Sequence, residues 1–305
     1  MSNISAPHFH DEEKAYEYIE ARLWPQGAVC PHCGGVDRVG KLKGKTTRAG
    51  LWKCYQCRKP FTVKIGTIFE DSKVPMRLWL QAMYLIAGSK KGISSNQLHR
   101  ILGVTLKTAW FMSHRIREAM RDDSGFPLGG IGSVVEVDET FIGREPGTEV
   151  RQSYHHKMKV VSLVERGSGR ARSYVVDKVS ADEIEPIVAA NVRRETRIMT
   201  DESPVYRFVP FYVADHKRVN HGAGEYVRGT VHTNTIEGFF SIFKRGMRGI
   251  YQHCSKKHLH RYLAEYDFRY TNRSATGIED TERADLILRG VIGKRLTYET
   301  TSARA

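Results

Sequence analysis

The spacing of apolar positions changes twice along the chain and divides it into three stretches. Between residues 38 and 64, apolar and polar residues alternate and glycines fall at the turns, which is typical of short strands. Between 74 and 120 the apolar residues recur at the spacing of helices. Glycines and acids break both spacings between 121 and 132, and this segment predicts a linker to a larger domain.

The helical stretch contains two short helices that break at Gly103. Ser94 or Ser95 can cap the first helix and Thr105 the second. Two helices joined by a glycine-containing turn are typical of a helix-turn-helix, although helix pairs in ordinary cores look alike. If the motif binds DNA, its second helix lies in the major groove. The basic residues that we then expect to contact DNA are Lys107, Arg115 and Arg117.

The larger domain alternates strands with helices. Three valines lead to Asp138 in a first apolar strand, and the pattern predicts further strands at 159–165, 172–177 and 197–200, with a helix at 181–194. Strands mixed with helices in this order favour an α/β domain with a mixed sheet.

Composition narrows the class of protein. The chain has 305 residues, a formal net charge of +14 and 40% hydrophobic residues, so it can form two or three folded domains and favours a polyanionic partner. It contains no apolar run of the length that spans a bilayer, and we expect no membrane association. The acidic start does not resemble a signal peptide, which predicts a cytoplasmic, nucleoid-associated protein.

Four of the five cysteines form two Cys-x-x-Cys pairs separated by 20 residues. Two such knuckles supply the four thiolates of a tetrahedral structural zinc site. A disulfide pair or a redox motif is the alternative, but a disulfide fits a chain without a signal peptide poorly, and a redox motif does not occur as two pairs. The predicted zinc ligands are Cys30, Cys33, Cys54 and Cys57.

The strands around this predicted ribbon are strongly basic. Residues 38 to 64 include nine lysines and arginines and no acid. Such a surface contacts DNA phosphates rather than reading bases, and a merely solvated charged face is the alternative. The residues that we expect to contact DNA here are Lys41, Lys43, Lys45 and Arg48.

Acidic residues follow two of the predicted strands, and a third lies on a helix. Asp138 ends the first strand and Asp201 follows the strand 197–200, so neighbouring strands would bring the two carboxylates together. In the predicted helix that begins near Thr233, Glu237 and Lys244 share one face, with Asn234 one turn before. Unrelated surface acids and a simple ion pair are the alternatives from periodicity alone.

The spacing and the surrounding residues resemble a known family. Asp201 and Glu237 are separated by 35 residues, and the acids stand in the words VEVDETFIG, IMTDES and HTNTIEGFFSIFKRG. This array resembles the DDE transposases and retroviral integrases, which have a ribonuclease-H-like core. With the zinc ribbon in front, residues 15 to 275 resemble a bacterial insertion-sequence transposase of the zinc-ribbon, ISXO2-like group.

The resemblance implies a site and a reaction. Asp138, Asp201 and Glu237 would hold two Mg²⁺ or Mn²⁺ ions, with Asn234 as the alternative third ligand and Lys244 as a phosphate contact. Water would cleave a strand at each transposon end, and the released 3′-OH would join target DNA. The implied partners are double-stranded DNA and further copies of the chain in a homodimer or higher oligomer.

Other charged residues of the predicted catalytic domain are not expected to be primary metal ligands. Arg245 is a further expected DNA contact on the basic segment after Glu237. Glu136 and Glu139 are interpreted as non-catalytic. Glu265 and Asp267 are the reserve acids in case Glu237 is not a ligand.

The sequence as a whole predicts a multidomain α/β protein. The predicted divisions are a helix and zinc ribbon at 1–70, a helix-turn-helix at 71–125, a ribonuclease-H-like catalytic domain at 126–280 and a C-terminal tail at 281–305, in which we expect a short helix around 284–291. A DNA-binding regulator with an inactive catalytic domain is the alternative function, and a nuclease or ribonuclease H would leave the front half without a purpose.

Overall fold

The computed structural model describes residues 3–145, 147–150 and 153–297. The chain forms two compact units. The first contains residues 1–120 together with 279–305, and the second is the continuous segment 121–278. The change of unit at Arg121 falls in the segment that the sequence predicts as a linker.

The front of the first unit is a small antiparallel sheet. Its three strands pair in the order β1-β2-β3, with Val39 opposite Cys54 and Trp52 opposite Phe61. The strands are β1 (Val39–Lys41), β2 (Trp52–Cys54) and β3 (Pro60–Phe61). Trp24 packs edge-on against both Trp52 and Phe61, so that aromatic rings and cysteine sulfurs together form the core of this module.

Helices complete the first unit. They include α1 (Glu12–Leu23), α2 (Met76–Gly88), α3 (Ser95–Leu102) and α4 (Leu106–Ala119). The side chain of Ser94 accepts a hydrogen bond from the Gln97 amide at the start of α3, and Thr105 caps α4 through the Thr108 amide. Gly103 adopts the left-handed conformation, φ 66°, at which glycine is favoured. The predicted helix pair and its caps are therefore present.

Two of the predicted DNA contacts in α4 are wrong. Arg115 and Arg117 are 5% and 2% exposed, so they lie in the core of the unit. Arg115 donates hydrogen bonds to the carbonyls of Ile68 and Glu70, and Arg117 to the hydroxyl of Ser113. The whole C-terminal half of α4 is buried, so both guanidinium groups hydrogen-bond to oxygens within the unit instead of facing solvent. Lys107, near its N-terminus, is exposed.

The second unit is built on a five-stranded mixed sheet in the order β6-β5-β4-β7-β8. The strands are β4 (Val134–Ile142), β5 (Met158–Glu165), β6 (Ala171–Val176), β7 (Arg197–Thr200) and β8 (Asp215–Arg218). The helices are α5 (Ala181–Asn191), α6 (Asn234–Gly246) and α7 (Lys256–Thr271). Strand β4 is antiparallel to β5 and parallel to β7, and β7 is parallel to β8. This is the mixed, ribonuclease-H-like α/β arrangement that was expected.

Helices cover both faces of this sheet. On β5, Val160 and Val164 pack in the cluster of α6 and α7, whereas Val161 and Leu163 pack in the cluster of α5. A strand buried on both faces is apolar along its whole length, which explains why β5 was predictable. Strand β8 was not predicted, because its residues Asp-His-Lys-Arg form a polar strand at one end of the sheet order.

The last described helix, α8 (Asp280–Arg289), belongs to the first unit. The sequence predicts a short helix around 284–291 within the tail, and α8 is that helix, with its start at Asp280. Ile287 and Leu288 are 0% and 1% exposed, and Arg283 donates to the Ala87 carbonyl at the end of α2 at 2.9 Å. The apolar face of α8 therefore packs into the helical core. Among the described residues, no helix combines the length and apolar character needed to cross a bilayer.

Candidate functional site

The four knuckle cysteines converge on one point. Their sulfurs all lie within 4.8 Å of one another, and the pairs Cys30–Cys57 and Cys33–Cys54 are each 3.7 Å apart. Zinc–sulfur bonds of about 2.3 Å in a tetrahedron separate sulfurs by about 3.8 Å. The geometry therefore fits a structural zinc ion held by all four predicted ligands.

The basic residues of the ribbon differ in their accessibility. Lys43, Lys45 and Arg48 are exposed, so their charges face solvent. Lys41 is half-buried and forms an ion pair with Glu20 on α1, with its Nζ 3.0 Å from the carboxylate. Because the charge of Lys41 is already paired within the protein, Lys41 is less available to bind an external phosphate.

Asp138 and Asp201 meet where β7 ends beside the middle of β4. Asp138 lies in β4, and Asp201 directly follows β7, the parallel neighbour that pairs with residues Val134 to Glu136 of β4. Carboxylate oxygens of Asp138, Asp201 and Glu139 all lie within 4.8 Å of one another. Three carboxylates at this distance form a set of hard oxygen ligands that fits a divalent cation.

The electrostatics of this cluster favour a cation. Burial, together with the charges of Glu139, Asp201 and Glu237, raises the pKa of Asp138 to about 8. Burial also raises the pKa of Asp201. Carboxylates held together with part of their hydration removed repel one another, and a bound divalent cation would compensate their charge.

Glu139 was excluded as a site residue in the sequence interpretation because it alternates to the face of β4 opposite Asp138. The structure nevertheless places its carboxylate in the acid cluster. The hydroxyl of the fully buried Tyr206 donates to Glu139 Oε2 at 2.5 Å and fixes that side chain. Two consecutive acids in one strand were the available signal. The sequence places them near the end of that strand, whereas β4 continues to Ile142.

Helix α6 carries the third predicted acid. Glu237 is exposed, and its Oε1 accepts a hydrogen bond from the Thr233 hydroxyl at 3.1 Å. Its charge acts on Asp138, but its oxygens are not part of the compact group of three found among the described residues. Asn234 is exposed at the first position of α6. Its backbone amide nitrogen lies 3.3 Å from His232 Nδ1.

Lys244 lies in a cluster of positive charge beside the acids. Burial lowers its pKa, as do the charges of Arg248 and Lys157, whereas the charge of Asp138 raises it. Its half-buried ammonium is therefore within electrostatic range of both the acid cluster and two further cations. Arg245, on the same helix, is exposed and donates to the Ser241 carbonyl.

The two reserve acids have other partners. Glu265 is 0% exposed and forms an ion pair with Arg269 at 2.9 Å. Asp267 accepts hydrogen bonds from the amide and hydroxyl of Ser173 on β6. Neither belongs to the group of acids around Asp138, so both are structural residues of α7.

Two family models match the chain, and together they include both clusters. Residues 10–60 match the transposase zinc-ribbon domain, and residues 127–271 match the ISXO2-like transposase domain. The chain belongs to the ISXO2-like transposase group. The zinc-ribbon match contains the four cysteines, and the transposase match contains Asp138, Asp201 and Glu237.

A relative comes from a mobile element. An uncharacterized protein in transposable element ISH50 of Halobacterium salinarum is 28% identical to this ISXO2-like transposase over 282 residues. The alignment covers 86% of this chain and 91% of the relative. The similarity thus extends through both units rather than through the ribbon or the acid-bearing domain alone.

Solved integrase structures align with part of the transposase. The catalytic core domain of BIV integrase is 13% identical, with 43% of this chain and 80% of that chain covered and a TM-score of 0.30. The HTLV-2 integrase catalytic core domain in complex with magnesium is 11% identical, with 44% and 84% covered and a TM-score of 0.27.

Proposed function

We propose that this ISXO2-like transposase binds the ends of its insertion sequence, cleaves them by phosphodiester hydrolysis and joins the 3′-OH ends to target DNA. The observation that carries the proposal is the convergence of Asp138 and Asp201 from two parallel strands, with Glu237 and Lys244 of α6 nearby. A DNA-binding regulator would have no use for this convergence.

Asp138, Asp201 and Glu237 would hold divalent cations, Mg²⁺ or Mn²⁺, and Glu139 offers a further oxygen. When bound, the cations supply a Lewis acid for the attacking and leaving oxygens of an in-line displacement. The carboxylates neutralise and orient the ions, and the protein needs no nucleophilic side chain. Water is the first nucleophile, and the 3′-OH that it releases is the second.

The positive cluster beside the acids supports a DNA path. Arg248 and Lys157 each act electrostatically on Lys244, and so does Asp138. We assign Lys244 to a phosphate next to the scissile bond and Arg245 to a neighbouring phosphate. In the first unit, the exposed Lys43, Lys45 and Arg48 of the ribbon are the corresponding end-binding contacts.

The reaction also implies an assembly. An element has two ends, and joining both to one target requires two acid clusters held at the same time. A homodimer or higher oligomer on double-stranded DNA satisfies that requirement. Such a complex would work on the bacterial nucleoid in the cytoplasm.

Replacing Asp138 with asparagine tests the function. Asp138→Asn keeps the size of the side chain but removes a charge from the centre of the cluster, so strand cleavage and joining of paired transposon ends should both be lost. Asp215→Asn is the matched control, because Asp215 lies on β8 in ion pairs with Arg197 and Lys217.

The outcomes separate the candidate functions. Loss of cleavage and joining in Asp138→Asn, with both kept in Asp215→Asn, supports the transposase. Cleavage by the wild type without joining identifies a nuclease. Repression or activation that survives in Asp138→Asn identifies a regulator and contradicts the proposal.

A further inference from the structure

A second carboxylate lies on the same face of β4 as Asp138. Glu136 precedes Asp138 by two residues, so both side chains point toward α6. Glu136 is 0% exposed, which is unusual for a carboxylate unless it is paired. It forms an ion pair with Arg166, and its Oε2 accepts a hydrogen bond from the Ile236 amide at 2.8 Å.

The hydrogen bond to Ile236 supplies the cap that the N-cap residue of α6 does not provide. Thr233 occupies the N-cap position, yet its side chain accepts no amide hydrogen bond and donates to Glu237 instead. The first turn of a helix has free amides and a partial positive charge. The carboxylate of Glu136 meets both needs from a different element, so the start of α6 is bonded to β4.

Arg166 extends this connection to the segment before α6. It lies in the turn after β5, where its amide donates to the Val134 carbonyl at 2.9 Å. Its guanidinium donates to the carbonyls of Thr230 and His232 as well as to Glu136. The ion pair therefore fixes the residues that lead into α6 and the first turn of α6 together.

Apolar packing alone would hold α6 on the sheet without fixing its position along its own axis. Ile236, Phe239 and Phe243 are at most 1% exposed and supply that packing. Replacing a buried ion pair by apolar residues is often neutral or stabilising, so stability alone does not explain a charge at position 136. A directional hydrogen bond to one amide does define where the helix begins.

We propose that Glu136 is a positioning residue for the acid cluster: with Arg166 it sets the start of α6 relative to β4, and hence Glu237 relative to Asp138. Ile236 is the residue next to Glu237, and Glu136 is two residues from Asp138, so the bond joins the two ligand-bearing elements close to both ligands. The inference rests on the proposed function, since it assumes that Glu237 acts with Asp138.

Binding of Mn²⁺, measured by the loss of its free electron paramagnetic resonance signal in zinc-loaded full-length protein, tests the inference without activity. Glu136→Gln keeps an acceptor for the Ile236 amide but loses the charge that pairs with Arg166. We expect the Kd for Mn²⁺ to rise by at least about 10-fold, the scale found for partners that orient metal ligands. Glu265→Gln is the matched control, because Glu265 is also 0% exposed and paired with an arginine.

A double-mutant cycle tests whether Glu136 acts through Glu237. Single-turnover cleavage is measured for Glu136→Gln, Glu237→Gln and the double variant. If Glu136 only positions Glu237, its substitution adds little in the Glu237→Gln background, whereas independent effects multiply. A merely structural role would lower the melting temperature in both Glu136→Gln and Glu265→Gln while leaving the Mn²⁺ affinity of both unchanged.

The inference is overturned by an unchanged Kd for Mn²⁺ in Glu136→Gln or by multiplicative effects in the cycle. If Glu136→Gln does not fold, Arg166→Lys replaces it, because it keeps the positive charge and loses the fork that reaches Thr230, His232 and Glu136. The same criteria then apply. Asp138→Asn separates the two proposals: if it leaves Mn²⁺ binding and cleavage intact, the proposed function itself fails.

Discussion

The two candidate metal centres of this transposase are built in opposite ways. The zinc cluster takes its ligands from two knuckles within residues 30 to 57, and its four sulfurs are already at the spacing of a closed tetrahedron. The acid cluster takes Asp138 and Glu139 from β4 and Asp201 from the end of β7. The first is a local site, and the second exists only when a whole domain has folded.

The difference extends to charge. Four cysteines around zinc form a closed set that leaves no position for a substrate. Burial and the neighbouring acids raise the pKa of Asp138 to about 8, and positive side chains lie beside the cluster. A closed centre stabilises a fold, whereas an open, repulsive centre costs stability and is available for chemistry. Four predictions test that comparison, from the largest effect to the smallest.

Cys54→Ser should remove the zinc and unfold the ribbon. Structural zinc sites contribute on the order of 10 kcal/mol of folding free energy, so loss of one thiolate should be decisive for a module this small. Metal analysis should fall from about one zinc per chain to none, and amide exchange should lose protection in residues 38–64. Cys254→Ser is the control, because Cys254 lies outside the cluster. Full zinc content in Cys54→Ser would refute the local site.

Glu237→Gln should lower strand cleavage by at least about 10²-fold, the scale of losing one preorganised charged group, with end binding kept. Asn234→Ala should have a smaller effect, because an amide oxygen is a weaker ligand for a hard cation. Mn²⁺ should restore part of the activity of either variant. Strand-cleavage rates on labelled transposon ends give the comparison.

Glu139→Gln sharpens that result, because the structure offers Glu139 as a rival third carboxylate. If Glu139→Gln lowers strand cleavage more than Glu237→Gln does, the third carboxylate ligand is Glu139, beside Tyr206, rather than Glu237 on α6. If Asn234→Ala abolishes cleavage and both glutamate variants retain it, Asn234 is the third ligand.

The salt dependence of end binding should distinguish the exposed basic residues of the first unit from the buried ones. Lys43→Ala and Lys45→Ala should each reduce the slope of log K against log salt by about 0.9 for end binding, because each would remove a phosphate contact. Arg117→Ala should leave the slope unchanged and lower the melting temperature, since Arg117 is 2% exposed. A reduced slope in Arg117→Ala would contradict its burial.

Asp138→Asn should make the metal-free protein more stable at neutral pH. Burial and the neighbouring acids raise the folded pKa of Asp138 to about 8, above an unfolded value of about 3.9. The folded state therefore loses stability as pH rises from about 4 to about 8, and the asparagine variant should not. In Mg²⁺-free buffer the melting temperature of the variant should exceed that of wild type by at least about 2 °C at pH 8 and by less at pH 5.

Adding Mg²⁺ should raise the wild-type melting temperature and not that of the variant, because only the wild-type cluster regains a counter-charge. Asp215→Asn should follow wild type throughout. Equal melting temperatures of wild type and Asp138→Asn at pH 8 would show that the acid cluster costs no stability.

Local features of this protein follow directly from the order of its residues. The cysteine spacing identifies the zinc ligands, and Ser94 and Thr105 mark the starts of α3 and α4. The valine-rich segments predict β4 and β5. These features depend on neighbours within a few tens of residues. Backbone geometry and apolar periodicity act at that range, so reading the sequence is sufficient.

The tertiary structure alone decided which side chains meet. Arg115 and Arg117 are basic residues that the sequence predicts as DNA contacts, but they are buried. The short helix that the sequence predicts after residue 280 belongs to the first unit. The sequence interprets Glu139 and Glu136 as non-catalytic, yet Glu139 lies in the acid cluster and Glu136 accepts a hydrogen bond from the start of α6. Burial and pairing depend on residues 100 to 196 positions away, as for Glu136 with Ile236 and for Arg283 with Ala87, and no local pattern encodes the partner of a charged side chain.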